Sequence, residues 1–281
     1  MAKTRAPRWP LALVLAALAA GPAQAQYAEG GARVLAMGRA GVALGADAWG
    51  HTNPAAWAGL DERRAALQVS QSFGLAELRL GALSAATPTR IATVALAART
   101  YGFSERRETR VKLGLGRRLA ISPSRGLDVG LAAGLETASV EGYGSETALL
   151  LDVGVQGDVL PGVRAGLAGR NLLAIARDDE ADLRQSAATV PGLTVGVAYR
   201  PSDRATLLLD ADQDDDWGLS VRAGAEVLVV PALALRVGVS SQPVRFTAGA
   251  GFQAGRLRAD LVVESHETLG LAPAVGVEVS F

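Results

Sequence analysis

The chain has 281 residues and a mass of 28.8 kDa, enough for one large domain or two small ones, and 33 residues are glycine against a usual share of ~7%. It has no cysteine and two histidines, which excludes disulfides, zinc fingers, iron–sulfur clusters and thiol chemistry and leaves little for a histidine metal site or triad. Its 28 basic and 28 acidic side chains balance, so nothing marks a nucleic-acid binder, and 12 prolines without a three-residue glycine period exclude collagen.

Residues 1–25 read as a secretory signal. Lys3, Arg5 and Arg8 form a positive start, an apolar run follows from Leu11 to Ala20, and Gly21-Pro22 breaks it. Ala23-Gln24-Ala25 then has the small-x-small form of a signal-peptidase site. The run is too short to cross a ~30 Å hydrocarbon core, so cleavage is expected rather than anchoring. No cysteine follows the site, which excludes a lipoprotein. Removing those three cations from 28 leaves 25 basic and 28 acidic side chains in an exported product. No later segment reaches the ~18 apolar residues of a transmembrane helix, so a membrane-spanning mature chain must be a barrel.

Residues 26–62 form an N-terminal block of small residues without strand periodicity. It holds Gly30-Gly31-Ala32-Arg33, a short helical stretch, Asp47, and an Asn53-Pro54 turn expected to stop the helix. Placed before the first strand, it is expected to lie in the barrel as a plug. His51 stands there without the partners of a metal site or triad.

From residue 63 to 281 the chain reads as barrel strands with a period of two. They are expected over 66–73, 75–84, 90–101, 109–121, 125–138, 146–159 and 163–173. Seven more are expected over 191–200, 203–213, 217–229, 233–241, 244–253, 256–264 and 271–281, making fourteen. Leu127, Val129, Leu131, Ala133 and Leu135, for example, alternate with Asp128, Gly130, Ala132, Gly134 and Glu136. A helix from Leu127 would align Leu131 and Leu135 but scatter the charges and glycines. Glycine is a poor strand residue, and its repetition on one face suits a crowded lumen while the apolar face meets lipid. Short Pro- and Gly-containing connections, such as Pro161-Gly162 and Ala254-Gly255, read as hairpin turns. The fold class is therefore all-β, a transmembrane antiparallel barrel, although aromatics at 5% are thin for interfacial girdles.

Lys112, Asp128, Glu136, Arg222, Glu226, Arg236, Arg245, Arg258, Asp260 and Glu278 fall on the lumen face. They either line a polar pore or pair across a packed interior, and the second reading is favoured. Asp210, Asp212, Asp214 and Asp216, with Asp215, suggest calcium, but counting from Asp210 the sixth and twelfth positions of an EF-type loop hold Asp215 and Val221, so the motif fails. The longest connection, 174–190, carries Arg177, Asp178, Asp179, Glu180, Asp182 and Arg184 and reads as a solvated charge run. His266 falls near a hairpin tip and is expected to face solvent.

The block Gly30-Gly31-Ala32-Arg33, Ala36-Met37-Gly38-Arg39-Ala40-Gly41-Val42-Ala43-Leu44 and Asp47, followed by Asn53-Pro54-Ala55-Ala56, resembles the start of the PorV/PorQ family, related to FadL-type channels. The likeness continues in Val190–Pro201, in Arg222-Ala223-Gly224-Ala225-Glu226 with Ala234-Leu235-Arg236-Val237-Gly238, and in the terminal Phe281. Arg39 stands where a second glycine is common, and Trp57 where relatives have smaller residues. The resemblance implies a FadL-like outer-membrane barrel of fourteen strands, with Phe281 as the signal read by the assembly machinery. It also implies a role in secretion or surface export with exported protein partners or, alternatively, a conduit for small hydrophobic molecules. No enzyme activity, metal or cofactor is expected. An exported soluble β protein is the remaining reading.

Overall fold

The computed structural model describes residues 30–122, 125–176, 190–214 and 218–281. The expected signal segment 1–25, residues 177–184 of the charged connection, and Asp215 and Asp216 lie outside them. The strands are β1 (Arg64–Gln71), β2 (Arg79–Pro88), β3 (Thr93–Gly102), β4 (Arg106–Ser122) and β5 (Arg125–Val140). β6 (Gly144–Leu160), β7 (Val163–Ala176), β8 (Gly192–Ser202), β9 (Ala205–Asp214) and β10 (Gly218–Val230) follow. β11 (Leu233–Ser241), β12 (Val244–Ala254), β13 (Leu257–His266) and β14 (Gly270–Ser280) complete the set.

Every strand pairs antiparallel with its chain neighbours, and β1 pairs with β14 from Arg64↔Ser280 to Ser70↔Ala274, so the sheet is a closed fourteen-stranded barrel. Closure removes the unpaired edge that hydrocarbon does not tolerate. The period of two sets the two faces. Leu113, Val237 and Leu261 point outward, 64%, 59% and 49% exposed, while Lys112, Arg236 and Asp260 on the same strands are buried inside. No helix among the described residues is long and apolar enough to cross a membrane.

β2 starts at Arg79, four residues later than its expected start. Phe73 and Gly74 take positive φ (59° and 73°), and two 3₁₀ turns, Ser72–Gly74 and Ala76–Leu78, occupy the span between. Asn53-Pro54 also behaves differently from the expectation of a stop. Asn53 caps the 3₁₀ helix Pro54–Gly59 by accepting from the Ala55 amide, and proline at the first position suits a helix start. The α-helix of the block, α1 (Ala32–Leu35), is a single turn.

Residues 30–60 pack inside the barrel and run round its wall. A Cβ at Gly276 of β14 would meet Ala32, at Gly249 of β12 Ala36, and at Gly238 of β11 the backbone of Met37 and Gly38. A Cβ would fall on Val42 at Gly166 of β7, on Asn53 at Gly154 of β6 and on Pro54 at Gly130 of β5. The Trp57 ring takes the space of a Cβ at Gly114 of β4, and the backbone of Trp57 and Ala58 that at Gly116. At these positions glycine leaves the space the inner segment takes, whereas at Gly134, Gly196 and Gly251 wall side chains, Lys112, Asp210 and Arg236, take it. Apolar contacts fill the rest, with Val34, Met37, Val42 and Leu44 against Ala168, Ala198 and Leu208, and Trp57 and Leu60 against Ala86, Ala95 and Ala132.

Gly238→Val should force the inner segment from the wall, a cost of about 1–3 kcal/mol or more. The loss is read as a lower temperature for conversion of the compact gel band to the unfolded one.

Candidate functional site

The site is the lumen and the segment that fills it. Wall side chains hold the segment by its backbone, and the segment's own Asn53 and Trp57 add to them. The Asp210 carboxylate accepts from the Gly41 and Val42 amides at 2.7 and 3.0 Å. Thr247 Oγ1 accepts from the Gly38 amide and donates to the Ala36 carbonyl, both at 2.9 Å. Ser84 Oγ and the Trp57 indole N–H both donate to the Ala48 carbonyl, at 2.6 and 3.0 Å. The Asn53 side-chain amide donates to the Val42 carbonyl at 2.7 Å and to Val155 on β6 at 3.2 Å. Gly30 and Gly31 take positive φ, and Gly31 leaves room for the Trp49 ring.

Two arginines of the segment complete ionic clusters on the wall. Arg33 forks onto Glu226 at 2.9 and 2.6 Å, and Glu226 also accepts from Arg236, which reaches Asp260 at 2.6 Å. Arg39 forks onto Glu264 at 3.1 and 3.0 Å, with Arg245 3.6 Å from the same carboxylate. The wall repeats the pattern: Glu136 holds Arg99 and Arg110, Asp128 holds Arg118 and Arg164, and Glu278 holds Arg64 and Arg258. Asp212 takes Arg170, Arg222 and the Thr194 hydroxyl, and Lys112 pairs with Asp152 at 2.5 Å.

All ten charges expected on the lumen face are therefore inside and in ion pairs. Each two-armed cluster gives a buried carboxylate two fixed cations, which offsets its loss of water. Sequence reasoning missed the partners. Arg99, Arg110 and Glu136 stand directly opposite one another in register, yet strand parity alone does not supply register. Arg39, read as a departure from the family pattern, is the arm that reaches Glu264. The aspartates of β9 hold no calcium geometry: Asp210 is committed to amides and Asp212 to cations, and no cluster of metal-ligating side chains occurs among the described residues.

His51 borders a cavity of ≈ 50 Å³ with Trp49, Trp57, Gln68, Arg99 and Lys112, room for a few waters. His266 closes β13 half-buried rather than solvent-facing, edge-on to the Phe73 ring, and its Nδ1 accepts from the Thr268 and Leu269 amides. Phe281 donates its amide to the Arg63 carbonyl beside the closing strand pair, with its ring exposed.

Asp47 is the one acid of the inner segment. It is buried, and its Oδ2 has no hydrogen-bond partner among the described residues. Burial, and then the nearby Glu278 carboxylate, push its pKa up to about 6 against the pull of Arg258 and Arg33. The folded protein thus holds a proton there that the unfolded chain, near ~3.9, releases. That stability is present at low pH and is lost as pH rises through about 6.

No family model and no curated protein matches this sequence. Solved structures do match. The Pseudomonas putida toluene transporter TodX aligns with a TM-score of 0.64 at 10% identity, over 91% of this chain and 98% of its own. A Pseudomonas aeruginosa FadL homologue aligns at 0.58 and 11%, over 89% and 98%. The Acinetobacter baumannii outer-membrane protein Omp33 aligns at 0.50 and 8%, over 78% and 98%. The chain has the FadL-like outer-membrane β-barrel fold.

Two outcomes follow. Glu136→Gln removes the carboxylate charge that Arg99 and Arg110 share and should cost about 3 kcal/mol, whereas Glu105→Gln on an exposed turn should stay within about ±0.5 kcal/mol. Asp47→Asn should raise the unfolding temperature most at pH 8, by about half as much at pH 5, and leave it nearly unchanged at pH 3, measured by circular dichroism in detergent.

Proposed function

We propose that this protein is a non-enzymatic outer-membrane β-barrel of the PorV/PorQ kind, exported by a cleaved signal and supporting protein secretion or surface export. The observation that carries the reading is the filling of the lumen. The inner segment packs against strands around the wall, and the lumen charges pair with one another instead of facing an aqueous path. A barrel closed in this way acts through what it holds and presents, as a scaffold in the membrane. The outward Leu, Val and Ala face fits hydrocarbon, and the segment 30–60 carries the family likeness.

A second reading, a conduit for small hydrophobic molecules, is favoured by one observation: the Trp49 and Trp57 indoles border the lumen cavity, in a fold shared with a toluene transporter. Passage would then require the inner segment to move.

Purification from native membranes in mild detergent, followed by planar-bilayer recording, tests the first reading. The expected result is an exported protein at stoichiometric amounts and no steady conductance. A barrel that purifies alone and shows a saturable change in Trp49 and Trp57 emission on adding toluene overturns it in favour of the conduit. Leu113→Arg, at mid-strand on the outer face, should lower folding stability in lipid vesicles by about 2–4 kcal/mol. An unchanged stability would mean that this face meets water.

A further inference from the structure

We propose that the barrel carries a binding site for the phosphate of an anionic phospholipid on its outer rim, formed by Arg90 and Arg117 with Ile91, Leu119 and Ile121. The inference rests on the outer-membrane reading above and adds a ligand to it.

The site lies at the end of the barrel that holds the chain's C-terminus. Residue 63, Phe281 and the connections 89–92, 161–162, 203–204, 231–232 and 255–256 all gather there. On β4 the pairing with β3 stops at Thr93↔Gly116, so residues 117–122 rise past the end of β3 with only β5 beside them. Arg117 is the first residue past that point, level with the β2–β3 turn that carries Arg90. The turn is tight, closed by the Thr89 amide on the Ala92 carbonyl, with the Thr89 hydroxyl on the same carbonyl. Both arginines are exposed, and neither makes an ion pair among the described residues. In the lumen, by contrast, arginine after arginine is paired.

Exposed apolar residues stand beside these cations: Ile91 follows Arg90 in the turn, and Leu119 and Ile121 share the outward parity of Arg117 on β4. Ile91 is 74% exposed and Ile121 66%, and Leu119 continues the outward row of Leu113 and Leu115. No acid occurs in residues 89–92 or 117–122; Arg118, on the other face of β4, turns inward to Asp128. An arginine stem lying along apolar surface with its fork at the water boundary is the arrangement that suits a lipid phosphate, and a guanidinium binds that group through two parallel hydrogen bonds. Arg63, Arg204 and Arg256 are also exposed at this end, but Asp61, Glu62 and Asp203 stand among them. At the opposite end the exposed cations Arg79, Arg106 and Arg107 stand among exposed acids, Glu77, Glu105 and Glu141. Around the site the acids Asp128, Asp158 and Asp61 act on Arg118, and the outward cations Arg90 and Arg117 are the ones that would select an anionic occupant. The apolar rim selects a lipid over a free anion. Aromatic residues, which usually mark such a boundary, are few in this chain.

The test reconstitutes the mature chain in phosphatidylcholine nanodiscs containing a minor share of phosphatidylglycerol. The lipids that stay with the barrel on gentle detergent extraction are then counted by native mass spectrometry. The wild type should retain phosphatidylglycerol in excess over its share, and retention should fall with salt. Arg90→Gln and Arg117→Gln should each lower it about fivefold. Arg79→Gln with Arg107→Gln, at the other end, should leave it unchanged. Equal retention in the arginine variants, insensitivity of the wild type to salt, or an equal loss in the control pair overturns the site. Displacement of the lipid by inorganic phosphate alone would also overturn it, since the apolar rim would then contribute nothing. A chain that does not fold into lipid at all removes the outer-membrane reading together with the site, whereas a folded barrel that retains no excess phosphatidylglycerol removes the site alone.

Discussion

Backbone-to-backbone contact between the inner segment and the wall is the constraint on which the rest of the structure depends. A barrel of fourteen strands encloses a lumen that its own inward side chains do not fill. Here residues 30–60 fill it, and the approach is so close that Gly130, Gly154, Gly166 and Gly238 have no room for a Cβ. Glycine weakens a strand by itself. Its use at these places is offset by the burial of Met37, Val42 and Trp57 and by the hydrogen bonds that Asp210 and Thr247 make to the segment's amides.

The same filling decides how the lumen charges behave. An unpaired charge in a space without bulk water is costly, so carboxylates sit between two cations: Glu136 between Arg99 and Arg110, Asp128 between Arg118 and Arg164. In two clusters one cation comes from the inner segment, Arg33 at Glu226 and Arg39 at Glu264. Segment and wall are thereby electrostatically incomplete without each other. Two buried acids depart from this pattern: Asp210 accepts from the segment's amides, and Asp47 is an acid whose charge the fold resists.

The pairing also bears on function. A water-filled pore keeps its charges hydrated and at a distance, whereas these are drawn into short, shared ion pairs. That arrangement favours a closed barrel. The two indoles beside the small cavity are the feature that a conduit would use.

The sequence by itself determined the architecture, because strand parity is local. Leu113 and Lys112 must face opposite sides wherever the strand lies, and fourteen such runs leave few folds. It also determined which charges turn inward, since Asp128 and Glu136 share a parity opposed to Leu127 and Leu131. What only the tertiary structure decided is which groups meet. Arg99 opposes Arg110 and Glu136 through strand register, and Arg39 finds Glu264 across 225 residues of chain. Asn53 caps a helix rather than ending one because the segment must turn along the wall at Gly154. Parity is carried by adjacent residues, but register and the path of the inner segment depend on closure of the whole ring, which no local stretch encodes.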